Sequence, residues 1–373
     1  MPKRTIGIDT RWLESKVAAA GTNTYITSLM QAMLQLDAAD SFVSWGTTAG
    51  FSAGNLQHKE FTGYYRRAWQ LAWKTLGWPP ADPVLPKADL WHFTNYVAPP
   101  TGRPFVLTVY DLSFVDHPEF TEPTNLRYLE RHVPDSLARA DQVITISQHA
   151  RDGLIEHFDL APQKVKVTHL AADERFTKEV PEEEVGRIKD KYGIEGEYLL
   201  AVGTLEPRKN LKNLLMAMAG LRRSTTEQLV VVGGQGWLFD ETQQLLTKLG
   251  LGSRVVLTGY VPSGELPGLY QGAKAFVFPS FYEGFGLPLL EAMHAGTPVV
   301  CSNTSSLPEV AGGAALYFDP ADVKGMKLAL ERVLNDENLR NRLSEAGRDQ
   351  AAQFSWDKTA KETLDIYHNV LNA

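Results

Sequence analysis

The sequence alternates short apolar runs with longer segments of helical periodicity, and this alternation restarts once along the chain. In the C-terminal half, a glycine, a proline or a helix signal follows each apolar run. These runs lie at Tyr198 to Val202, Gln228 to Val232, Arg254 to Thr258, Ala275 to Phe278 and Thr297 to Cys301. Continuous apolar runs of this length between helical segments are typical of buried parallel strands. The pattern predicts a doubly wound α/β sheet, in which ligands bind beyond the carboxyl ends of the strands.

The N-terminal half shows the same alternation. Its strands are predicted at Thr5 to Asp9, Leu90 to His92, Phe105 to Tyr110 and Gln142 to Ile146. A turn containing Gly21 follows the first strand, and an apolar-periodic helix continues through Tyr25, Leu29, Met33 and Leu36. A polar, charged segment from Asp173 to Gly196 marks the change of domain. A chain of 373 residues is long for one core, so we predict two α/β domains, at 1–172 and 173–352, followed by a last helix within 353–373.

Composition excludes some classes of function. The formal net charge of −7 argues against general nucleic-acid binding, which needs a basic surface. No run approaches the roughly 20 apolar residues of a membrane span, and the N-terminal residues lead into a strand rather than a signal peptide. The lone Cys301 excludes an internal disulfide. We therefore expect a cytoplasmic protein.

The segment from Pro279 to Glu291 is the most informative motif. Glu283 and Glu291 flank a double-glycine turn, and Pro288 suits the first position of a helix. Gly284 and Gly286 allow a ligand to approach the backbone closely. The amides of Phe285, Gly286 and Leu287 then lie at a helix N-terminus, where an anion can bind. The two carboxylates can accept hydrogen bonds from sugar hydroxyls, so we predict a sugar-nucleotide site with Glu283 on the sugar and Glu291 on the ribose.

A second loop carries two cations. Gly203 and Thr204 follow an apolar strand, and Arg208 and Lys209 stand just before the helical segment Leu211 to Leu221. Cations at a helix N-terminus are disfavoured unless an anion joins them, which favours a diphosphate partner. The alternative is a solvated loop in which the cations pair with Glu206.

These motifs resemble the family 4 retaining glycosyltransferases of the GT-B fold. The resemblance rests on the Glu-x7-Glu spacing around Gly-Phe-Gly-Leu-Pro, the run Val202 to Asn210, and the run Leu257 to Pro262. It extends to Asp89 to Thr94 and Thr108 to Leu112 in the N-terminal half. It implies two Rossmann-like domains facing a cleft, an N-terminal acceptor-binding domain, a C-terminal nucleotide-sugar-binding domain, and a last helix, Lys358 to Leu371, that crosses back to the first domain.

The resemblance also implies roles for individual residues. Arg208 and Lys209 fall on the family's phosphate-binding pair, and Tyr260 and Val261 on the strand end that reads the nucleobase. In the N-terminal domain, Asp111 is the better candidate for the cleft, and Gly21, His92 and Tyr110 are acceptor-side candidates. The family has a histidine where this chain has Tyr110, so the histidine's role is not transferred.

The segment 64–76 combines aromatic and basic residues. Trp69, Trp73 and Leu76 share one helical face, with Arg66, Arg67 and Lys74 nearby. This composition suits a membrane interface that holds a lipid-linked acceptor, at the inner membrane surface. A core-facing amphipathic helix is the alternative, and it is slightly favoured.

The predicted activity is transfer of a sugar, with mannose from GDP-mannose as the candidate donor, to a glycan or lipid-linked acceptor with retention of configuration. No Asp-x-Asp motif suggests a divalent ion, so we expect neither a metal nor another cofactor. A nucleotide-sugar epimerase and a catalytically silent sugar-nucleotide-binding protein are the alternatives. Dependence of nucleoside diphosphate release on an acceptor distinguishes the three.

Overall fold

A computed structural model describes residues 4–14, 20–36, 40–46, 56–60, 68–69, 71–73, 78–222, 224–234 and 239–373. The chain forms two compact units. Unit 1 comprises Met1–Leu170 and Ser355–Ala373, and unit 2 comprises Ala171–Phe354. Within the described ranges, no helix is both long enough and apolar enough to cross a lipid bilayer.

Unit 1 is built on one parallel sheet. Its strands are β1 (Thr5–Thr10), β2 (Ser41–Gly46), β3 (Leu56–Glu60), β4 (Leu90–Phe93), β5 (Phe105–Thr108), β6 (Gln142–Thr145) and β7 (Val165–Val167). They lie in the order β3-β2-β1-β4-β5-β6-β7, so the direction of winding reverses between β1 and β4. The helices described in this unit include α1 (Ala20–Gln35), α2 (Ser113–Asp116), α3 (Pro123–Arg139), α4 (Gln148–Phe158) and the C-terminal helix (Trp356–Asn372).

Large aromatic residues fill the core of unit 1. Trp45 and Trp91 are fully buried and meet edge to face, with ring centroids 6.1 Å apart. Gly7 lies on β1 beside β4, and a Cβ atom there would come within 2.6 Å of the Trp91 indole. A glycine is therefore required at this point of the strand for the indole to pack.

Within unit 1, polar contacts hold the C-terminal helix to the N-terminal part of the chain. Tyr367 bonds to His92 on β4 at 2.6 Å, and His368 bonds to Asp40 at 2.7 Å. The hydroxyl of Thr359 donates to the carbonyl of His169. These contacts place both ends of the helix on the N-terminal part of the chain.

Unit 2 repeats the parallel architecture. Its strands are β8 (Tyr198–Val202), β9 (Gln228–Val232), β10 (Val255–Gly259), β11 (Ala275–Phe278), β12 (Val299–Ser302) and β13 (Ala315–Phe318). Their order is β10-β9-β8-β11-β12-β13, which reverses between β8 and β11. The helices are α5 (Glu182–Tyr192), α6 (Leu211–Leu221), α7 (Phe239–Leu249), α8 (Leu266–Gln271), α9 (Leu287–His294), α10 (Leu307–Ala311), α11 (Val323–Asn335) and α12 (Glu337–Ala351).

The structure confirms the two-sheet α/β prediction and corrects several of its details. The strand predictions in unit 2 are confirmed within one or two residues, whereas β2, β3, β7 and β13 were not predicted. The strand β3 is polar and β7 is only three residues long, so neither produces a continuous apolar run. The turn predicted at Gly21 is wrong, because Gly21 lies in the first turn of α1.

Candidate functional site

The candidate site lies at the carboxyl ends of β8 and β11. These adjacent strands are where the strand order of unit 2 reverses. The loop after β8 carries a short 3-10 helix, Pro207–Lys209, and the loop after β11 leads from Pro279 into α9. In doubly wound sheets the diverging loops at such a reversal leave a crevice for ligands.

Three charged side chains from these two loops form one cluster. Arg208 Nη1 donates to Glu283 Oε2 at 2.7 Å, and Lys209 Nζ donates to Glu283 Oε1 at 2.6 Å. The Glu283 side chain is only 9% exposed. Glu206 is a weaker neighbour, at 3.8 Å from Arg208 Nη2. The two predicted phosphate-binding cations and the predicted sugar-binding carboxylate are thus in direct contact.

The charge balance of the cluster keeps Glu283 ionised. Burial alone would raise the pKa of this carboxyl group, but the charges of Arg208 and Lys209 outweigh burial and lower the pKa to about 2. For Lys209, burial lowers the pKa of the ammonium group, and the charge of Glu283 opposes that shift. At neutral pH we assign an ionised carboxylate between two cations.

Asn210 connects the two loops, and the sequence reasoning missed it. Its backbone is left-handed, with φ of 54°, a conformation that asparagine tolerates better than most residues. Its buried side-chain amide donates to the carbonyl of Pro279 at 2.9 Å and to that of Pro320 at 2.8 Å. In addition, the Phe281 N–H donates to the Arg208 carbonyl at 2.9 Å. The cations are therefore held in register with the loop that carries Glu283.

Two serines beyond β12 support the Glu283 loop from the other side. Ser305 Oγ accepts the backbone N–H of Glu283 at 2.9 Å. Ser306 Oγ lies 2.8 Å from the carbonyl of Glu283 and 2.9 Å from that of Phe285. These serines lie 22 and 23 residues after Glu283, and no local pattern marked them.

The glycine turn opens the N-terminus of α9. Gly286 has φ of 107°, and a Cβ atom there would lie 2.9 Å from Leu307 Cδ2. The helix begins at Leu287, so Pro288 occupies its second position rather than the predicted first. Gly284 and Phe285 are buried. Among the described residues, the backbone N–H groups of Gly286 and Leu287 have no protein acceptor, as expected of helix-terminal amides that can bind an anion.

Glu291 lies one turn further along α9 in a different environment. Its Oε2 accepts the Tyr270 hydroxyl at 2.8 Å. Burial raises the pKa of this carboxyl group to about 7, although the Tyr270 bond and the charge of Arg175 act in the opposite direction. The two glutamates of the motif are therefore electrostatically unlike at neutral pH.

The remaining unit 2 candidates lie at the ends of β8 and β10. Gly203 has φ of 154°, and its N–H donates to Val232, while Thr204 is exposed. After β10, the Tyr260 side chain is 79% exposed and Val261 is buried. Both positions are at the carboxyl edge of the sheet.

The glycine run after β9 has a packing role at its first residue. A Cβ atom on Gly233 would lie 1.9 Å from the carbonyl oxygen of Gly203. Only glycine therefore lets the loops after β8 and β9 approach each other so closely.

The candidate side chains His92 and Tyr110 of unit 1 make hydrogen bonds within that unit. His92 is fully buried, and its Nδ1 and Nε2 bond to Tyr367 and Thr108, both at 2.6 Å. Both ring nitrogens are therefore occupied by internal hydrogen bonds, and the acceptor-side role of His92 stays a prediction. Tyr110 is buried and donates its hydroxyl to the Thr94 carbonyl.

Asp111 is partly exposed and organises the start of α2. Its Oδ1 accepts the N–H of Ser113 at 3.0 Å, the hydroxyl of Ser113 at 2.9 Å and the hydroxyl of Tyr96 at 3.1 Å. The second carboxylate oxygen has no hydrogen bond to the described residues, so Asp111 stays a candidate for substrate contact.

The aromatic and basic segment 64–76 lies partly outside the described residues, which here are 68–69 and 71–73. Trp73 is 8% exposed, and its Nε1 donates to the Pro79 carbonyl at 2.7 Å. Trp69 packs against Trp73 at 5.5 Å. These contacts support the core-facing interpretation for the two tryptophans, and Arg66, Arg67 and Lys74 lie outside the described ranges.

No metal-binding geometry is present in the part of the chain that the structure describes. There, no group of three or more His, Cys, Asp or Glu side chains is arranged to hold an ion.

Two family models match the chain, one in each half. The model "Glycosyltransferase Family 4" matches residues 20–176, and the model "Glycosyl transferases group 1" matches residues 185–350. Together they include the unit 2 sheet, the strands of the unit 1 sheet that follow β1, and the charged cluster.

Curated relatives are mannosyltransferases of Escherichia coli. The chain is 37% identical over 284 residues to O-antigen chain mannosyltransferase B, and the matched region covers 75% of this chain and 74% of the relative. It is 35% identical over 240 residues to the serotype-specific mannosyltransferase WbdA, covering 63% of this chain and 29% of that longer protein.

A solved structure has the same fold. The Anabaena protein Alr3699/HepE, in complex with UDP and glucose, superposes with a TM-score of 0.74 at 18% identity, over 98% of this chain and 99% of that one. At this identity the similarity concerns the fold.

Proposed function

The chain belongs to the family 4 glycosyltransferases, and from this premise we propose that it transfers mannose from GDP-mannose to a glycan or lipid-linked acceptor with retention of configuration. The mannosyltransferase relatives support the sugar. Tyr260 and Val261 offer backbone groups that can pair with a base edge, and we propose guanine as the base.

The observation that carries the proposal is the pair of cations at the β8 and β11 ends. Arg208 and Lys209, in the loop after β8, converge on the buried carboxylate of Glu283. The loop after β11, which carries Glu283, continues into the helix N-terminus with the Gly286 and Leu287 amides. Cations and amides of this kind stabilise the charge that develops on a departing diphosphate. A site that supplies its own positive charge can work without a metal ion.

In the proposed reaction the bond between the anomeric carbon and the donor phosphate oxygen breaks. The acceptor hydroxyl enters on the same face, and its proton passes to the departing phosphate. Arg208 and Lys209 take up the growing negative charge, Glu283 accepts hydrogen bonds from the sugar, and Glu291 accepts them from the ribose. The products are the mannosylated acceptor and a nucleoside diphosphate.

Contact with a membrane through residues 64–76 is a separate part of the proposal. Leu71 and Trp78 are 63% and 65% exposed. An exposed aromatic and an exposed leucine that are close in sequence to Arg66, Arg67 and Lys74 suit an anionic lipid surface that carries the acceptor. Loss of binding to phosphatidylglycerol vesicles in an Arg66→Gln, Arg67→Gln variant tests this part alone.

The deciding experiment is a transfer assay with a panel of nucleotide sugars. We expect mannose transfer from GDP-mannose that persists in EDTA, and Lys209→Ala to weaken nucleoside diphosphate binding by about 2 to 5 kcal/mol. Lys212→Ala is the matched control, because this exposed lysine lies on the following helix. Strong inhibition by EDTA that magnesium reverses would contradict the metal-free mechanism. Equal nucleotide affinity in both lysine variants would contradict the phosphate role.

A further inference from the structure

We propose that Glu283 is an internal counter-anion that sets the preference of the site for a sugar-bearing donor over a sugar-free nucleoside diphosphate. This inference rests on the proposed function, since it concerns the same cations. It assigns Glu283 a role in ligand discrimination in addition to its predicted contact with the sugar.

The contacts of Glu283 support a competition between this carboxylate and a diphosphate for the same two cations. Each carboxylate oxygen of Glu283 accepts one cationic donor, at 2.7 and 2.6 Å. Arg208 Nη1 also donates to the Tyr282 carbonyl at 2.8 Å, so this nitrogen is already occupied. A diphosphate that binds Arg208 and Lys209 must compete with Glu283 for the two positive charges that compensate its carboxylate.

The burial of Glu283 makes that displacement costly. Its side chain is 9% exposed, and the loop backbone is fixed by Ser305, so the carboxylate cannot turn into water. A buried charge that loses its partners is strongly destabilising. A diphosphate without a sugar imposes this cost in full.

A donor that carries its sugar can remove the cost. Sugar hydroxyls are hydrogen-bond donors, and a carboxylate accepts several of them. Sugar hydroxyls that reach Glu283 replace part of the hydrogen bonding that this carboxylate loses when the phosphate binds Arg208 and Lys209. After transfer the hydroxyls leave with the acceptor, the full competition returns, and the spent diphosphate is released more readily.

Glu291 provides the internal control. It accepts a hydrogen bond from Tyr270 and none from Arg208 or Lys209 among the described contacts. The change Glu291→Gln is chemically identical to Glu283→Gln but leaves the cationic cluster intact.

The test measures dissociation constants by calorimetry for inorganic pyrophosphate, GDP and GDP-mannose. We expect Glu283→Gln to bind pyrophosphate and GDP roughly tenfold tighter or more than the wild type, and the preference for GDP-mannose over GDP to shrink. Glu291→Gln should bind pyrophosphate as the wild type does. The inference is overturned if Glu283→Gln binds pyrophosphate no tighter than the wild type, or if neither protein binds it.

A second variant covers the case in which Glu283→Gln does not fold. Glu283→Asp keeps the charge but withdraws it by one methylene group, and it should tighten pyrophosphate binding by a smaller factor. Unchanged affinity in Glu283→Asp would then overturn the inference. Pyrophosphate binding needs no turnover, so absence of sugar transfer by the wild type refutes the proposed function separately.

Discussion

Acid should destabilise unit 1 through His92. The ring is fully buried, and burial lowers its pKa from 6.5 to about 3. Between these values the unfolded chain binds a proton that the folded unit excludes, so stability is lost as the pH falls from 6.5 towards 3. The loss at pH 5.5 relative to pH 7.5 is on the order of 1 kcal/mol, and it grows further towards pH 4.5.

Tryptophan fluorescence during urea unfolding can isolate this effect. Seven of the eight tryptophans lie in unit 1, so the emission reports mainly on that unit. The comparison is between wild type, His92→Gln, and His117→Gln as a variant at a partly exposed histidine of the same unit. His92→Gln should be less stable at pH 7.5, because the bonds to Tyr367 and Thr108 are altered. On going to pH 5.5, however, it should lose on the order of 1 kcal/mol less than the wild type.

The result that refutes this reasoning is an equal loss of stability with acid in wild type and His92→Gln. It would mean that the buried ring accepts a proton in the folded unit. In that case the assignment of His92 as a neutral structural histidine fails. His117→Gln should follow the wild type throughout.

Three further perturbations test the geometry of unit 2. Asn210→Leu removes two buried hydrogen bonds and should lower the urea-unfolding free energy of unit 2 by about 2 to 3 kcal/mol, and a change within about 0.5 kcal/mol would contradict its linking role. Gly233→Ala places a Cβ atom against the Gly203 carbonyl, so it should lower the free energy of unfolding by about 1 to 3 kcal/mol and weaken GDP binding. Gly234→Ala, at a position with open space, should have neither effect. Because burial raises the pKa of Glu291 to about 7, its carboxylate ionises as the pH increases through 7, and GDP affinity should rise over the same range. This rise should be absent in Glu291→Gln. An identical pH dependence in both proteins would contradict the assignment of Glu291 to the ribose.

The sequence pattern was sufficient for the strands that line the unit 2 site. Strands β8, β9 and β11 are continuous apolar runs bounded by glycine or proline, because both faces of a parallel sheet are buried. The cations and Glu283 could be predicted because they immediately follow these strands. Asn210, Ser305 and Ser306 could not, because each acts through a contact with a loop far away in sequence.

His92 shows the opposite limit of local reasoning. A histidine at the end of a short parallel strand has the same local pattern whether its ring faces a ligand or a neighbouring helix. Its partner, Tyr367, is 275 residues away. Only the packing of the C-terminal helix decides between the two roles.

The charged side chains described at the two strand reversals differ, and this difference supports the proposed anion site in unit 2. At the end of β1 in unit 1, Arg11 donates Nε and Nη2 to Asp9 at 2.8 and 2.7 Å, and its guanidinium lies 4.2 Å from the Trp45 ring centroid. That pair is one cation with one carboxylate, so its charge is already balanced.

At the end of β8 in unit 2, two cations share the single buried carboxylate of Glu283, and Glu206 lies too far away and too exposed to offset the second charge strongly. Among the described residues, the end of β1 therefore holds one cation paired with one carboxylate, whereas two cations share one buried carboxylate at the end of β8. We propose that a diphosphate is attracted to the second edge and that Glu283 determines how firmly it is held there.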